Sequence, residues 1–140
     1  MSYLLSASVF LCNQNLILMH KLKIAIADDY PVYREGLQVT LSANENLEVI
    51  FEADNGRELL EKMAVQLPDL VIMDYKMPEM DGMAATRIIK ERYPAVKVLV
   101  ISMYHDEKFI RHLMDNGADG YLLKDAEPEQ ILSTVQGLIH

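Results

Sequence analysis

Residues 71–82 read VIMDYKMPEMDG. Three apolar residues, preceded by Leu70, run into Asp74, and the residues that follow neither extend a strand nor begin a helix at once, because Pro78 brings no amide donor and Gly82 disfavours regular structure. A short apolar run without polar alternation suits a strand covered on both faces. A carboxylate at its end then stands at the rim of a buried sheet, above a loop.

The same pattern recurs along the chain. LKIAIAD (22–28), LEVIFEA (47–53), DLVIMD (69–74), VKVLVIS (96–102) and GYLL (120–123) are short apolar runs, most of them rich in Val and Ile, and they read as five strands. The stretches between them have helical spacing: Ile110, Leu113 and Met114 precede an Asn116–Gly117 stop, and Ile131, Leu132, Val135, Leu138 and Ile139 follow Pro128. Five βα units with right-handed crossovers predict a doubly wound α/β fold, a five-stranded parallel sheet with helices on both faces. Such sheets place their working site beyond the carboxyl ends of the strands, where the strand order reverses.

Composition excludes several functions. With 140 residues, about half of them hydrophobic, the chain suits a single domain with a sizeable core. A formal net charge of -8 repels nucleic-acid phosphates and anionic membrane surfaces, so direct nucleic-acid binding by this chain is not expected. Cys12, the single cysteine, can form no intrachain disulfide, which fits a reducing cytoplasmic compartment. Residues 1–18 carry no charge and precede a second possible start at Met19, so they read as an apolar extension outside a domain spanning 19–140. The extension lacks the basic region of a secretory signal, and its apolar runs fall short of the ~18 residues of a membrane span.

The strand ends carry an unusual set of side chains. Strand one ends in Asp28 and Asp29, strand three in Asp74 and strand four in Ser102, and strand five is followed by Lys124. Any one of these has an ordinary explanation as a helix cap, a turn residue or a solvated charge. Together they do not, because three carboxylates within ~5 Å repel by roughly 3 kcal/mol per pair at an effective dielectric of 20. A cation must offset that repulsion, and Mg²⁺ suits a site of carboxylates, a carbonyl and water. His20, His105, His112 and His140 are scattered and form no alternative metal site. With Mg²⁺ and Lys124 neutralising phosphoryl oxygens, Asp74 is placed to attack phosphorus in line.

These residues resemble the receiver domain of two-component response regulators. The likeness runs from Lys21 to about His140 and rests on ADDY after strand one, MDYKMPEMDG after strand three, ISMY at strand four and GYLLKDA at strand five, in that order and spacing. It implies a flavodoxin-like (βα)5 fold with Asp74 as phosphoacceptor. It also implies Asp29 as a direct Mg²⁺ ligand, Asp28 as a ligand through water, and the Lys76 backbone carbonyl as a further ligand. Ser102 would bind a phosphoryl oxygen, Lys124 would pair with the phosphoryl group, and Tyr121 would be the aromatic that follows the switch. The phosphoryl donor would be a sensor histidine kinase or a phosphotransfer protein. Such a domain is not an enzyme acting on a separate substrate, although it promotes its own phosphorylation from small donors and its own dephosphorylation.

DDYPVYREGL and GYLLKDA look most like the NarL/FixJ subgroup, whose receivers usually precede a helix-turn-helix DNA-binding domain. The chain stops too early to include one, so the implied role is control of transcription through a domain outside this chain, possible phosphorylation-dependent homodimerisation included. The alternative is a stand-alone single-domain regulator acting by protein–protein contact. Where many receivers have Pro after the lysine, Asp125 stands here, and a cis bond before a non-proline residue costs about 3–4 kcal/mol. Two other phosphate-handling classes fit less well. A haloacid-dehalogenase-type phosphatase needs a second acid two residues after its aspartyl nucleophile, where Lys76 stands. A flavodoxin-like cofactor binder needs a Gly, Ser and Thr loop after strand one, where the acidic DDYPVYRE would repel phosphate.

Overall fold

The computed structural model describes residues 21–139. The apolar extension, Cys12, Met19, His20 and His140 lie outside the described residues. Five strands alternate with five helices: β1 (Leu22–Ala27), α1 (Pro31–Ser42), β2 (Leu47–Ala53), α2 (Gly56–Met63), β3 (Leu70–Asp74), α3 (Gly82–Arg92), β4 (Lys97–Ser102), α4 (Glu107–Asp115), β5 (Gly120–Leu123) and α5 (Pro128–Ile139). All strand pairings are parallel, in the order β2-β1-β3-β4-β5. The order reverses between β1 and β3, which places the switch point beside Asp28, Asp29 and Asp74.

Strand periodicity divides the core between the two faces of the sheet. Ala25, Ala27, Val71, Met73, Val98 and Val100 face Leu59 and Met63 of α2, Ala85 and Ile89 of α3, and Leu113 of α4. Their neighbours Ile24, Ile26, Leu70, Ile72, Leu99 and Ile101 face Leu37 and Leu41 of α1 and Ile131 and Val135 of α5. β3 is buried along its whole length. β2, at the edge, is largely half-buried and exposes Glu48. These are the faces that continuous apolar strands and apolar helix stripes require.

Small departures from the sequence expectation have local causes. β1 ends at Ala27, because the Asp28 carboxylate turns back to accept the Tyr30 N–H at 2.7 Å and closes the chain into α1, whose first residue is Pro31. Met114 leaves the core and is 40% exposed, while Leu113 alone of α4 is fully covered. α4 ends where spacing and chemistry predict: Gly117 takes a φ of 111°, a left-handed conformation that its missing Cβ permits. The Lys124–Asp125 bond is trans, since the described residues contain no cis peptide.

Candidate functional site

Four loops at the carboxyl end of the sheet, those after β1, β3, β4 and β5, build the site. Parallel registry brings Ile101 opposite Asp74 and Leu123 opposite Ser102, so Ser102 and Lys124 each sit one step further toward the same rim. The Lys124 N–H donates to the Ser102 carbonyl at 2.9 Å and extends that pairing past the end of β5. One carboxylate oxygen each from Asp28, Asp29 and Asp74 lie within 4.8 Å of one another. Asp28 is 1% exposed, Asp74 6% and Ser102 2%, whereas Asp29 is open to solvent.

The Lys124 ammonium spans the cluster, 3.0 Å from Asp74 Oδ2 and 3.6 Å from Asp28 Oδ2. Burial disfavours its charged form, but the hydrogen bond to Asp74 and the charges of Asp28 and Asp74 outweigh that and raise its pKa. One ammonium cannot balance three neighbouring carboxylates. Burial pushes the Asp28 carboxyl above its ordinary range; the Tyr30 N–H opposes this, and the Asp74 charge reinforces it. The donor set is therefore all oxygen, closely spaced and in excess of its cation, which fits a hard divalent ion.

This imbalance has a measurable consequence. A carboxyl whose folded pKa is raised contributes stability below its unfolded value near 3.8, and that contribution is lost as pH rises through the folded pKa. At pH 7 ionised Asp28 thus weakens the metal-free fold. Asp28→Asn keeps an oxygen to accept the Tyr30 N–H and removes the charge. In urea melts without metal at pH 7 the variant should be more stable by about 0.5–2 kcal/mol, a gain that shrinks as pH falls toward the unfolded value. A variant less stable than wild type at pH 7 would contradict this account.

The loop after β3 is shaped from several sides. Tyr75 N–H donates to the Ile101 carbonyl at 3.0 Å, and Gly82 N–H donates to the Tyr75 carbonyl at 2.7 Å, so the loop closes at its base. Asp81 caps α3 by accepting the Ala84 N–H at 2.9 Å. Met77 is buried and Met80 packs on the same core layer, which anchors the loop. Glu79 holds a left-handed φ of 64° that glycine would adopt more readily; Asn55 and Arg57 hydrogen-bond its carboxylate and keep it there. Lys76 is exposed, and its carbonyl accepts no hydrogen bond from the described residues.

Tyr121 is half-buried on β5, and its hydroxyl donates to the Tyr104 carbonyl in the loop after Ser102. That loop is tied at its start by the Tyr104 N–H donating to Ser102 Oγ at 3.1 Å. Phe109 of α4 sits edge-on to Tyr75, Tyr104 and Tyr121, with ring centroids 4.6, 5.4 and 6.3 Å away. A continuous aromatic cluster thus joins the residue after Asp74 to α4 and β5. His105 and His112 are exposed and are not members of the close carboxylate group.

Every strand-end residue singled out in the sequence comes to this rim, but two supporting residues were not anticipated. Arg34 of α1 donates from Nη1 to the Asp28 carbonyl at 2.9 Å, the Ala53 carbonyl at 3.0 Å and Asp54 Oδ1 at 2.6 Å, while its Nε lies 3.1 Å from Glu52. It locks the β1–α1 turn to the end of β2. Tyr33 lies beneath Lys124 with its ring centroid 4.9 Å from the ammonium. Burial, with the charges of Asp28, Asp74 and Asp125, pushes its phenol up to about 12, so it stays neutral. Both residues stand within YREG, each five positions after a member of the acidic pair, and that closeness in sequence marks their neighbourhood but not their contacts.

Comparison with known proteins agrees with the geometry. Residues 24–136 match the family described as the response regulator receiver domain. The oxygen regulatory protein NreC of Staphylococcus haemolyticus is 42% identical over 116 residues, which cover 82% of this chain and 54% of that protein. The transcriptional regulatory protein DegU of Brevibacillus brevis is 37% identical over 117 residues, 84% of this chain and 50% of that protein. The chain therefore spans about half the length of these relatives. Among solved structures, the receiver domain of the NarL response regulator from Mycobacterium tuberculosis superposes with a TM-score of 0.82 at 32% identity, covering 86% of this chain and 97% of that one. No helix among the described residues is long and apolar enough to cross a membrane.

Proposed function

The chain belongs to the response regulator receiver domain family, and from that membership we propose that it takes a phosphoryl group on Asp74 from a sensor histidine kinase or phosphotransfer protein and answers by reshaping the face formed by α4, β5 and α5. The observation that carries this reading is the three-carboxylate cluster with Lys124 hydrogen-bonded to Asp74. The receiver unit is taken as residues 19–140, in the cytoplasm, with residues 1–18 outside the family pattern.

Asp29 directly, Asp28 through water, Asp74 and the Lys76 carbonyl would hold Mg²⁺. The ion supplies charge neutralisation that lets a dianionic phosphoryl group approach a carboxylate. Asp74 Oδ then forms the new O–P bond as the bond to the donor breaks, and Lys124 offers its ammonium to the charge that arrives. Ser102, buried at the end of β4, offers its hydroxyl to a phosphoryl oxygen. The O–H hydrogen can donate while Oγ still accepts the Tyr104 N–H, so a shift of Ser102 toward the phosphoryl group draws with it the loop to which Tyr121 is tied. The phosphoryl group thereby biases a two-state element at the partner face.

The family role in signalling and transcription control, together with relatives of which the matched residues make up only about half, supports an output through a DNA-binding region beyond these residues, with phosphorylation-dependent pairing of two copies as the means. Beryllofluoride, which stands in for the phosphoryl group, tests the coupling. With Mg²⁺ it should change amide exchange across residues 103–124 of wild type. Ser102→Ala should still bind it at Asp74 but lose most of that change. No change in wild type, or an equal change in both proteins, would sink the reading.

A further inference from the structure

The Lys124 side chain is four flexible carbons ending in a point charge, and it leaves the very end of a short edge strand. Hydrogen bonding to Asp74 alone would not define where its ammonium rests between Asp74 and Asp28, because both carboxylates attract it. A wall on the remaining side would. Two rings stand there: Tyr33 at 4.9 Å and Tyr30 at 5.9 Å from Nζ. Tyr30 is 62% exposed and more distant, so it is free to move with solvent. Tyr33 is half-buried and packs on the core layer of α1 and α5.

The Tyr33 hydroxyl does not explain its place. That oxygen is buried and has no hydrogen-bond partner among the described residues, an arrangement that works against the fold. The ring face, in contrast, is turned to a largely buried cation, where the negative face of an aromatic quadrupole attracts an ammonium most strongly.

We propose that Tyr33 is a positioning residue for Lys124, its ring face holding the ammonium on the Asp74 side of the acidic cluster. This deepens the phosphoacceptor reading and rests on it for its functional half. The ring, not the hydroxyl, is the working group, so Tyr33→Phe retains the function and Tyr33→Leu loses it.

Two measurements separate the parts. In NMR spectra the Lys124 ε-methylene protons should show an upfield ring-current shift in wild type and Tyr33→Phe, and lose it in Tyr33→Leu. This readout requires no phosphoryl chemistry. Affinity for beryllofluoride with Mg²⁺ should be unchanged in Tyr33→Phe and weakened about three- to tenfold in Tyr33→Leu. Pentafluorophenylalanine at position 33 keeps the ring's size but reverses its quadrupole; it should weaken affinity as Leu does, which covers the case of a poorly folded Leu variant. Equal affinity in wild type and the pentafluoro variant, or a Lys124 shift that survives Tyr33→Leu, overturns the proposal. Failure of wild type itself to bind beryllofluoride overturns the phosphoacceptor reading, and the Lys124 shifts still decide whether the ring holds the ammonium.

Discussion

With Asp74 replaced by asparagine, acetyl phosphate and Mg²⁺ are expected to leave the mass of the protein unchanged, while wild type gains one phosphoryl group that EDTA prevents. The amide has the same shape and keeps an oxygen for Lys124, so the fold and the ammonium position survive. What it loses is the charged nucleophile: an amide oxygen attacks phosphorus far more slowly than a carboxylate. Substitution by Asp28 is blocked, because that carboxylate is 1% exposed and one of its oxygens already accepts the Tyr30 N–H. Asp29 is exposed but lacks the hydrogen bond to Lys124 that Asp74 has. The expected loss is at least about a thousandfold in labelling rate, read by intact-protein mass spectrometry. Labelling of Asp74→Asn at the wild-type rate would remove Asp74 from its role.

The second large effect is structural and comes from Gly82. A Cβ at this position would lie 2.8 Å from the Asp74 carbonyl oxygen and 2.8 Å from Tyr75 Cα. Both are backbone atoms, so no flexible side chain can yield, and either α3 or the loop after β3 must shift. Gly82→Ala should cost about 2–4 kcal/mol and lower Tm by about 10 °C. Because the displaced atoms belong to Asp74 and its neighbour, phosphoryl uptake in the folded fraction should also fall, by up to about a hundredfold for a shift near 1 Å. Gly36→Ala is the control: Gly36 lies within α1, nothing stands within 4 Å of its added Cβ, and the change should be neutral or stabilising by up to about 1 kcal/mol. Thermal melts in which the two variants match would refute the close-approach argument.

The sequence by itself determined the architecture and the acidic rim. Apolar runs of strand length joined by helical spacing leave a parallel sheet covered on both faces as the arrangement that buries them, and in it the strand ends must share one edge. Asp28, Asp29, Asp74, Ser102 and Lys124 were legible because each directly follows or ends such a run, so one-dimensional position translated into three-dimensional neighbourhood.

Only the tertiary structure decided what lies beneath and beside those side chains. That Tyr33 faces Lys124, 91 positions away in the chain, depends on how α1 and α5 cover the same face of the sheet, and no local pattern encodes that contact. Arg34 could have been a solvated charge on α1; the approach of β2's carboxyl end converts it into a clamp on Asp28. Gly82 reads as an ordinary loop residue until the return of α3 against Asp74 leaves no room for a Cβ. In each case the deciding quantity is a distance between segments that are remote along the chain. Such distances follow from packing two helical layers on a twisted sheet at close-packed density, whereas periodicity records only which face a residue takes.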